Sequence, residues 1–430
     1  MRSNQSSFAA GRVAIGVFVF CFLIASAFAT TEKVVYRFQG TPDGASPYAS
    51  LVADSVGNLY GTTAFGGSNH EGTVFELSPP ATAGGAWTET VLYSFQDPGN
   101  DGAVPTGTLT FDKQGNLYGT TRQGGGPNNS NTGTIFELSP PATPGGAWTE
   151  TILWTFPQGW LKGYAPVGKL SIDAAGNLYG TTQYGGPNVK TCTTCGVVFE
   201  LVRPKTSGQL WVERVLYSFG SSANDGISPS SDLLLRGGML YGTTQNGGTH
   251  GWGTVFQLAP HTGLWIETIL HNFIDSEGTI PQGGLIADAA GNLFGTTPAA
   301  GSNNWGTIYE LSPPSAPGGT WQESTLYSFK GLSDGARPNG PLWRDSLGNL
   351  FGTTTIRGES QQCCGGTVFK LKAPAVSGGA WTFVLLHDFG TTPDDGGYPQ
   401  GGLILQNGLL YGTTADGGTD SLGVVFSLVP

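Results

Sequence analysis

The sequence predicts an all-β chain, a seven-bladed β-propeller of four-stranded antiparallel blades, on three observations. An aromatic-Gly-Thr-Thr motif recurs seven times, starting at Tyr60, Tyr118, Tyr179, Tyr241, Phe294, Phe351 and Tyr411, at spacings of roughly 53–62 residues. Each copy lies in the same frame of four short β-type segments separated by turn-forming residues. The two ends are out of phase: Glu32 to Phe38 matches the fourth segment of a copy, and the last copy stops after its third. If the leading segment completes the trailing blade, the array closes into a ring with no open sheet edge.

The leading residues 1–29 read as a signal peptide. Arg2 and Arg12 supply the positive start, Val13 to Phe28 the apolar run, and Ala27-Phe28-Ala29 a small-x-small cleavage site. The run is shorter than the roughly 20 residues a spanning helix needs. The expected product is a secreted or cell-envelope protein of residues 30–430, a monomer with no membrane span.

The first copy shows the blade. Leu51 to Asp54 is strand a, Asn58 to Thr63 strand b, Gly72 to Leu77 strand c, and Trp87 to Phe95 strand d. The seven blade cores fall at 51–95, 109–156, 170–219, 233–273, 285–329, 342–389 and 403–428, the last completed by 32–38. The a–b turn is Asp-x-x-Gly-Asn in five copies and shortens to Gly237-Gly238 and Asn407-Gly408 in two, pairs suited to tight turns with positive φ. The c–d connections are rich in Pro and Gly. Strict alternation is expected to put Val91, Tyr93 and Phe95 on one side of strand d and Leu92 on the other, so each blade needs cover on both faces.

The pattern Leu-x-x-Asp-x-x-Gly-Asn-Leu-Tyr-Gly-Thr-Thr, followed by Gly-Thr-Val-Phe-Glu-Leu, resembles the Gloeo/Verruco (GloVer) tandem repeat across nearly all of residues 32–430. That resemblance implies export and a repeat architecture, in a family whose members carry a choice of C-terminal anchor. It implies no activity and no catalytic residues, and this chain shows no recognisable anchor. Asp-x-x-Gly-Asn-Leu-Tyr is also similar, more distantly, to NHL-type propeller blades.

Composition narrows function. Net charge is −11, with only 19 Lys and Arg, and such a surface repels phosphate backbones, which excludes nucleic acid. No Ser-His-Asp arrangement, nucleophile elbow, phosphate loop or His-x-x-x-His motif is present, so no cofactor or metal set is read. Cys192 with Cys195 is expected as a local disulfide in an exported loop, and Cys363 with Cys364 as a vicinal disulfide or two thiols. These two pairs lie in blades that do not adjoin, against a joint four-cysteine zinc site.

Features repeated in every blade read as structure. The d–a loop acids (Asp43, Asp101, Asp225, Glu277, Asp334 and Asp395, with Lys162 in the third copy) are expected to cap turns. Glu76 with Glu89 resembles a glycosidase dyad only on paper. The Trp opening strand d is expected to pack between blades, and the Thr-Thr pairs to bond neighbouring backbone. Function is then sought where copies differ, in the b–c loops that share a face with the d–a loops. His70, Tyr184, His250, Trp252, Asn304, Trp305, Arg357 and Asp416 are the candidate ligand-binding residues, since aromatics beside amides and charges suit sugar rings or peptides. The expected function is a non-catalytic binding protein for a polysaccharide or an extracellular protein. The alternatives are a polysaccharide hydrolase or lyase at the channel mouth, using His70, His250 or nearby acids, and a structural cell-surface repeat protein.

Overall fold

Why the repeat motif tolerates so little change follows from its glycine. A Cβ on Gly61 would lie 2.6 Å from the Phe75 ring, and Gly119, Gly180, Gly242 and Gly412 stand in the same relation to Phe136, Phe199, Phe256 and Phe426. Strand b must let the large aromatic of strand c cross beneath it. That aromatic then meets the last Phe of the preceding blade edge-on: Phe38 with Phe75 at 5.1 Å, Phe95 with Phe136 at 5.2 Å, and so on to Phe389 with Phe426 at 5.0 Å. Such pairs stabilise by about 0.5–1.5 kcal/mol beyond their buried area. They run round the ring as one ladder between blades.

The computed structural model describes residues 32–430 except 83, 97–100, 127–130, 144, 158–160, 187–194, 207, 317, 332–333, 358–364, 377 and 392–393. The expected signal peptide, Cys192, Cys363 and Cys364 therefore lie outside the described residues. The chain forms seven small antiparallel sheets in a ring, each ordered a-b-c-d from the axis outward. The ring is a seven-bladed β-propeller. Its closure is the one expected: Lys33–Arg37 pairs with Val424–Leu428, placing Lys33 opposite Ser427 and Val34 opposite Phe426. Phe38 N then donates to Gly423 O at 3.1 Å.

The repeated polar residues are bonded within this frame. In six copies the first Thr of the motif reaches a carbonyl of the next blade, as in Thr413 Oγ1 to Ala49 O at 2.9 Å and Thr353 Oγ1 to Gly401 O at 3.0 Å, while Thr120 Oγ1 is buried without a partner. The second Thr bonds within its blade, as in Thr63 Oγ1 to Thr73 Oγ1 at 2.8 Å. Asp54 Oδ1 accepts the backbone N–H groups of Val56, Gly57 and Asn58, which is why the a–b Asp is absent from the shortened turns. Each Trp of strand d packs on the motif aromatic of the preceding blade, as Trp87 does on Tyr411 at 5.7 Å and Trp148 on Tyr60 at 6.3 Å.

Candidate ligand-binding site at the channel mouth

The d–a and b–c loops share one face because they pair: Gly44–Ala45 bonds Phe65–Gly66, and Gly396–Gly397 bonds Asp416–Gly417. The next residue of the d–a loop takes positive φ in all seven copies, at Ser46, Val104, Ala165, Ser228, Ile280, Arg337 and Tyr398. For β-branched Val104 and Ile280 this conformation is strained. It persists because the peptide is held on both sides. Ser46 N donates to Leu422 O of the preceding blade at 2.8 Å, and Ser46 O accepts Ala64 N at 3.1 Å. A Pro follows, and the residue after it faces the axis.

Those axis-facing residues differ from blade to blade: Tyr48, Thr106, Val167, Ser230, Gln282, Asn339 and Gln400. So do the residues leaving strand b, which include Arg122, Gln183 and Gln245. Together they surround a cavity of about 630 Å³. Five of its lining side chains are amides: Gln183, Gln245, Gln282, Asn339 and Gln400. Arg122 Nη2 donates to Gln183 Oε1 at 3.1 Å, Gln245 Nε2 to Ser230 Oγ at 2.7 Å, and Asn339 Nδ2 to Thr355 Oγ1 at 3.0 Å. Asn339 Oδ1 is buried with no hydrogen-bond partner in the protein. Phe65, 46% exposed, and Tyr48 add aromatic surface to the wall.

Below the mouth, Ser50, Thr108, Asp232, Gly284 and Pro341 border both this cavity and a second one of about 720 Å³ that opens towards the other face. Asp232 Oδ1 accepts Lys169 N at 2.6 Å, and burial raises its pKa. Among the described residues lining the mouth, Asp232 is the acid, Arg122 the cation, and no His is present.

None of the eight candidate residues lines this cavity. His70 lies exposed with Nδ1 3.2 Å from Thr41 Oγ1, and His250 lies exposed with Nδ1 2.9 Å from Thr249 Oγ1, three blades away. Trp252 is 44% exposed on its loop tip. Asn304 sits in a turn with positive φ, and Trp305 is half-buried against the core shared by the fifth and sixth blades. Tyr184 packs on Tyr164 at 5.4 Å, Arg357 pairs with Asp388, and Asp416 Oδ1 accepts Gly417 N at 2.7 Å. Cys195 is buried and disulfide-bonded. The mouth residues went unread because they stand singly inside the repeated frame, whereas the loop tips are long and conspicuous. Aligning the seven copies and asking which axis-facing positions vary would have found them.

The repeated acids gather at the rim, where blades meet. Glu76 and Glu89 point to opposite faces of their sheet, since Glu89 pairs with Leu77, so they form no dyad. Glu89 instead neighbours Asp43, the d–a acid at its own blade's entry. Burial first, and the Asp43 charge second, push Glu89 up to about 7. Glu150 beside Asp101 and Glu267 beside Asp225 are pushed up to about 7 in the same way. A Tyr of the preceding strand d bridges the acids: the Tyr217 hydroxyl lies 3.1 Å from Asp225 Oδ2 and 3.0 Å from Glu267 Oε2. The d–a acid also caps its turn, as Asp43 Oδ2 does by accepting Gln39 N at 2.9 Å.

Departures at the rim are answered locally. Lys162 replaces the acid in the third copy and pairs with Glu213 at 2.7 Å while lying over the Trp154 ring. Phe383 replaces the Glu in the sixth, and Tyr327 stacks on it at 4.8 Å. His271 and His387 replace the Tyr and contact Glu277 at 2.9 Å and Asp395 at 3.2 Å.

Comparison with known proteins agrees with this frame. The family model of the Gloeobacter/Verrucomicrobia repeat matches residues 21–188, 130–317 and 228–430. No curated protein has a matching sequence. Among solved structures, the extracellular domain of a one-component-system protein of B. thetaiotaomicron is similar with a TM-score of 0.52 at 10% identity, over 92% of this chain and 40% of that one. A luciferin-regenerating enzyme gives a TM-score of 0.45 at 14% identity, over 75% of this chain and 91% of that one. An oxidoreductase (glucose dehydrogenase) from Thermus thermophilus gives 0.44 at 14%, over 77% and 96%. At these identities the likeness concerns the fold alone. No helix among the described residues is long and apolar enough to cross a membrane.

Proposed function

The chain belongs to the Gloeobacter/Verrucomicrobia repeat family, and from that premise we propose that it is an exported, non-catalytic binding protein that takes a polysaccharide at its channel mouth. One observation carries the reading. Five amides, one from each of five blades, converge on one cavity with Arg122: Gln183 and Gln245 leave strand b, and Gln282, Asn339 and Gln400 follow the Pro of the d–a loop, positions that other blades fill with other residues. Planar amides offer donors and acceptors together, which match vicinal sugar hydroxyls, and Tyr48 and Phe65 offer faces for a ring. Asn339 Oδ1, buried without a partner, is an acceptor awaiting a donor. Among the described residues the mouth is lined by no His, and His70 and His250 stand on separate loop tips, which favours binding over hydrolysis or elimination. Export rests on the pattern of residues 1–29.

Glycan arrays and pull-downs test the proposal. Intact protein is expected to retain a neutral polysaccharide, and the double variant Gln245→Ala, Gln400→Ala to bind it at least roughly tenfold more weakly, the equivalent of one or two lost hydrogen bonds. Trp252→Ala and Trp305→Ala are expected to change binding little. Capture of an extracellular protein with no glycan retained would move the reading to a protein partner. Retention of neither would defeat it.

A further inference from the structure

Ring closure brings together three side chains from opposite ends of the chain. Glu32 immediately precedes the closing strand Lys33–Arg37, His387 lies in strand d of the sixth blade, and Asp395 lies in the loop that follows it. His387 Nε2 is 3.2 Å from Asp395 Oδ1. Ligand atoms of Glu32, His387 and Asp395 all lie within 4.8 Å of one another. Tetrahedral zinc, with bonds of about 2.0–2.2 Å, sets neighbouring ligand atoms about 3.4 Å apart. The His–Asp pair already meets that spacing, and a small turn of Glu32 would complete it. Glu32 Oε1 is buried without a hydrogen-bond partner, so one donor of the set is free to take an ion. Asp395 is only 6% exposed.

The equivalent junctions show what is particular here. Between the first two blades the place of His387 is taken by Tyr93, whose hydroxyl donates to Asp101 at 2.8 Å and satisfies it without an ion. At the other His junction Glu323 Oε1 already accepts Thr325 Oγ1 at 3.0 Å, and among the described residues no such three-ligand group forms there. We propose that Glu32, His387 and Asp395 bind one divalent transition-metal ion, zinc by preference, which pins the closing strand to the sixth blade. The imidazole selects zinc, nickel or copper over calcium and magnesium, which favour all-oxygen shells. Three protein ligands leave the remaining positions to water. The ion acts as a clasp on the ring, distinct from the channel mouth.

The test is zinc titration of chelator-treated full-length protein by calorimetry, with thermal melts and limited proteolysis that follows release of the N-terminal segment. One Zn²⁺ per chain is expected at this site, with a rise in Tm and protection of the N-terminal segment. His387→Tyr rebuilds the Tyr–Asp–Glu junction of the first two blades and so should fold. It is expected to weaken zinc binding by roughly tenfold or more, since the loss of even an indirect partner of a metal ligand has that effect. It should also abolish the zinc-dependent protection, while His271→Tyr leaves both intact. No zinc binding by the intact protein, equal binding by His387→Tyr, or calcium binding as tight as zinc would each overturn the proposal.

Discussion

The rim junctions and the channel mouth are built from the same seven copies, and both vary, but they vary differently. At the rim each change is answered by its neighbour. Lys162 in place of an acid finds Glu213, and Phe383 in place of a Glu finds Tyr327. At the mouth, Arg122, Gln183 and Gln245 replace one another at one position, and all three line a shared cavity. Variation that cancels within a contact preserves a fold. Variation that accumulates on a common cavity is what the proposed binding role requires. Repetition makes this distinction readable within a single chain, because six other blades act as controls for each one.

The largest expected effect breaks a compensated pair. The Glu213 side chain is fully buried, so Lys162→Met should destabilise the protein by about 2 kcal/mol, the penalty for leaving a buried polar group without its partner. Chemical denaturation measures this, and Glu213→Gln added to Lys162→Met should restore part of the loss. An additive double variant would mean the two residues do not answer each other.

A smaller effect is carried by pH. Glu89, Glu150 and Glu267 sit near 7 in the folded ring, against 4.5 when exposed. Their folded values are raised, so the unfolded chain ionises first as pH increases. The stability they carry is intact below about pH 4.5 and is lost progressively up to about pH 7. Thermal melts of chelator-treated protein should therefore show a higher Tm at pH 5 than at pH 7.5. Glu89→Gln with Glu150→Gln should flatten that slope. A Tm that climbs over the same range would show that the rim acids are ionised in the fold.

The smallest structural effect belongs to the mouth. Gln183→Ala, Gln245→Ala and Gln400→Ala should each move stability by no more than about 0.5 kcal/mol, the range for side chains outside packed contacts. Losses comparable to that of Lys162→Met would place these amides among the supports of the fold and erase the contrast.

Much of the architecture was legible in the sequence because its signals are local and repeated. Tyr60-Gly61-Thr62-Thr63 and its copies mark strand b, and the match of Glu32–Phe38 to Glu89–Phe95 foretold that Lys33–Arg37 would pair with Val424–Leu428. The turn role of Asp54 and the packing of Trp87 followed from their recurrence. What stayed hidden depends on three-dimensional closure. Tyr48 and Gln400 line one cavity only because the ring brings blade seven beside blade one. Glu32 and His387 are linked by no spacing rule, so no metal set could be read from them. The partnership of Lys162 with Glu213 was within reach, since the one blade entry that lacks an acid is followed by a strand-d Glu that would otherwise have met one.

Hydroxyl-radical footprinting with a bound oligosaccharide tests the central claim most directly, because it reads where the ligand sits without any substitution in the protein. Oxidation of Tyr48 and Phe65 should fall on binding while that of Trp252 and Tyr184 stays unchanged. Protection of Trp252 with Tyr48 unaffected would contradict the account and return the ligand to the loop tips.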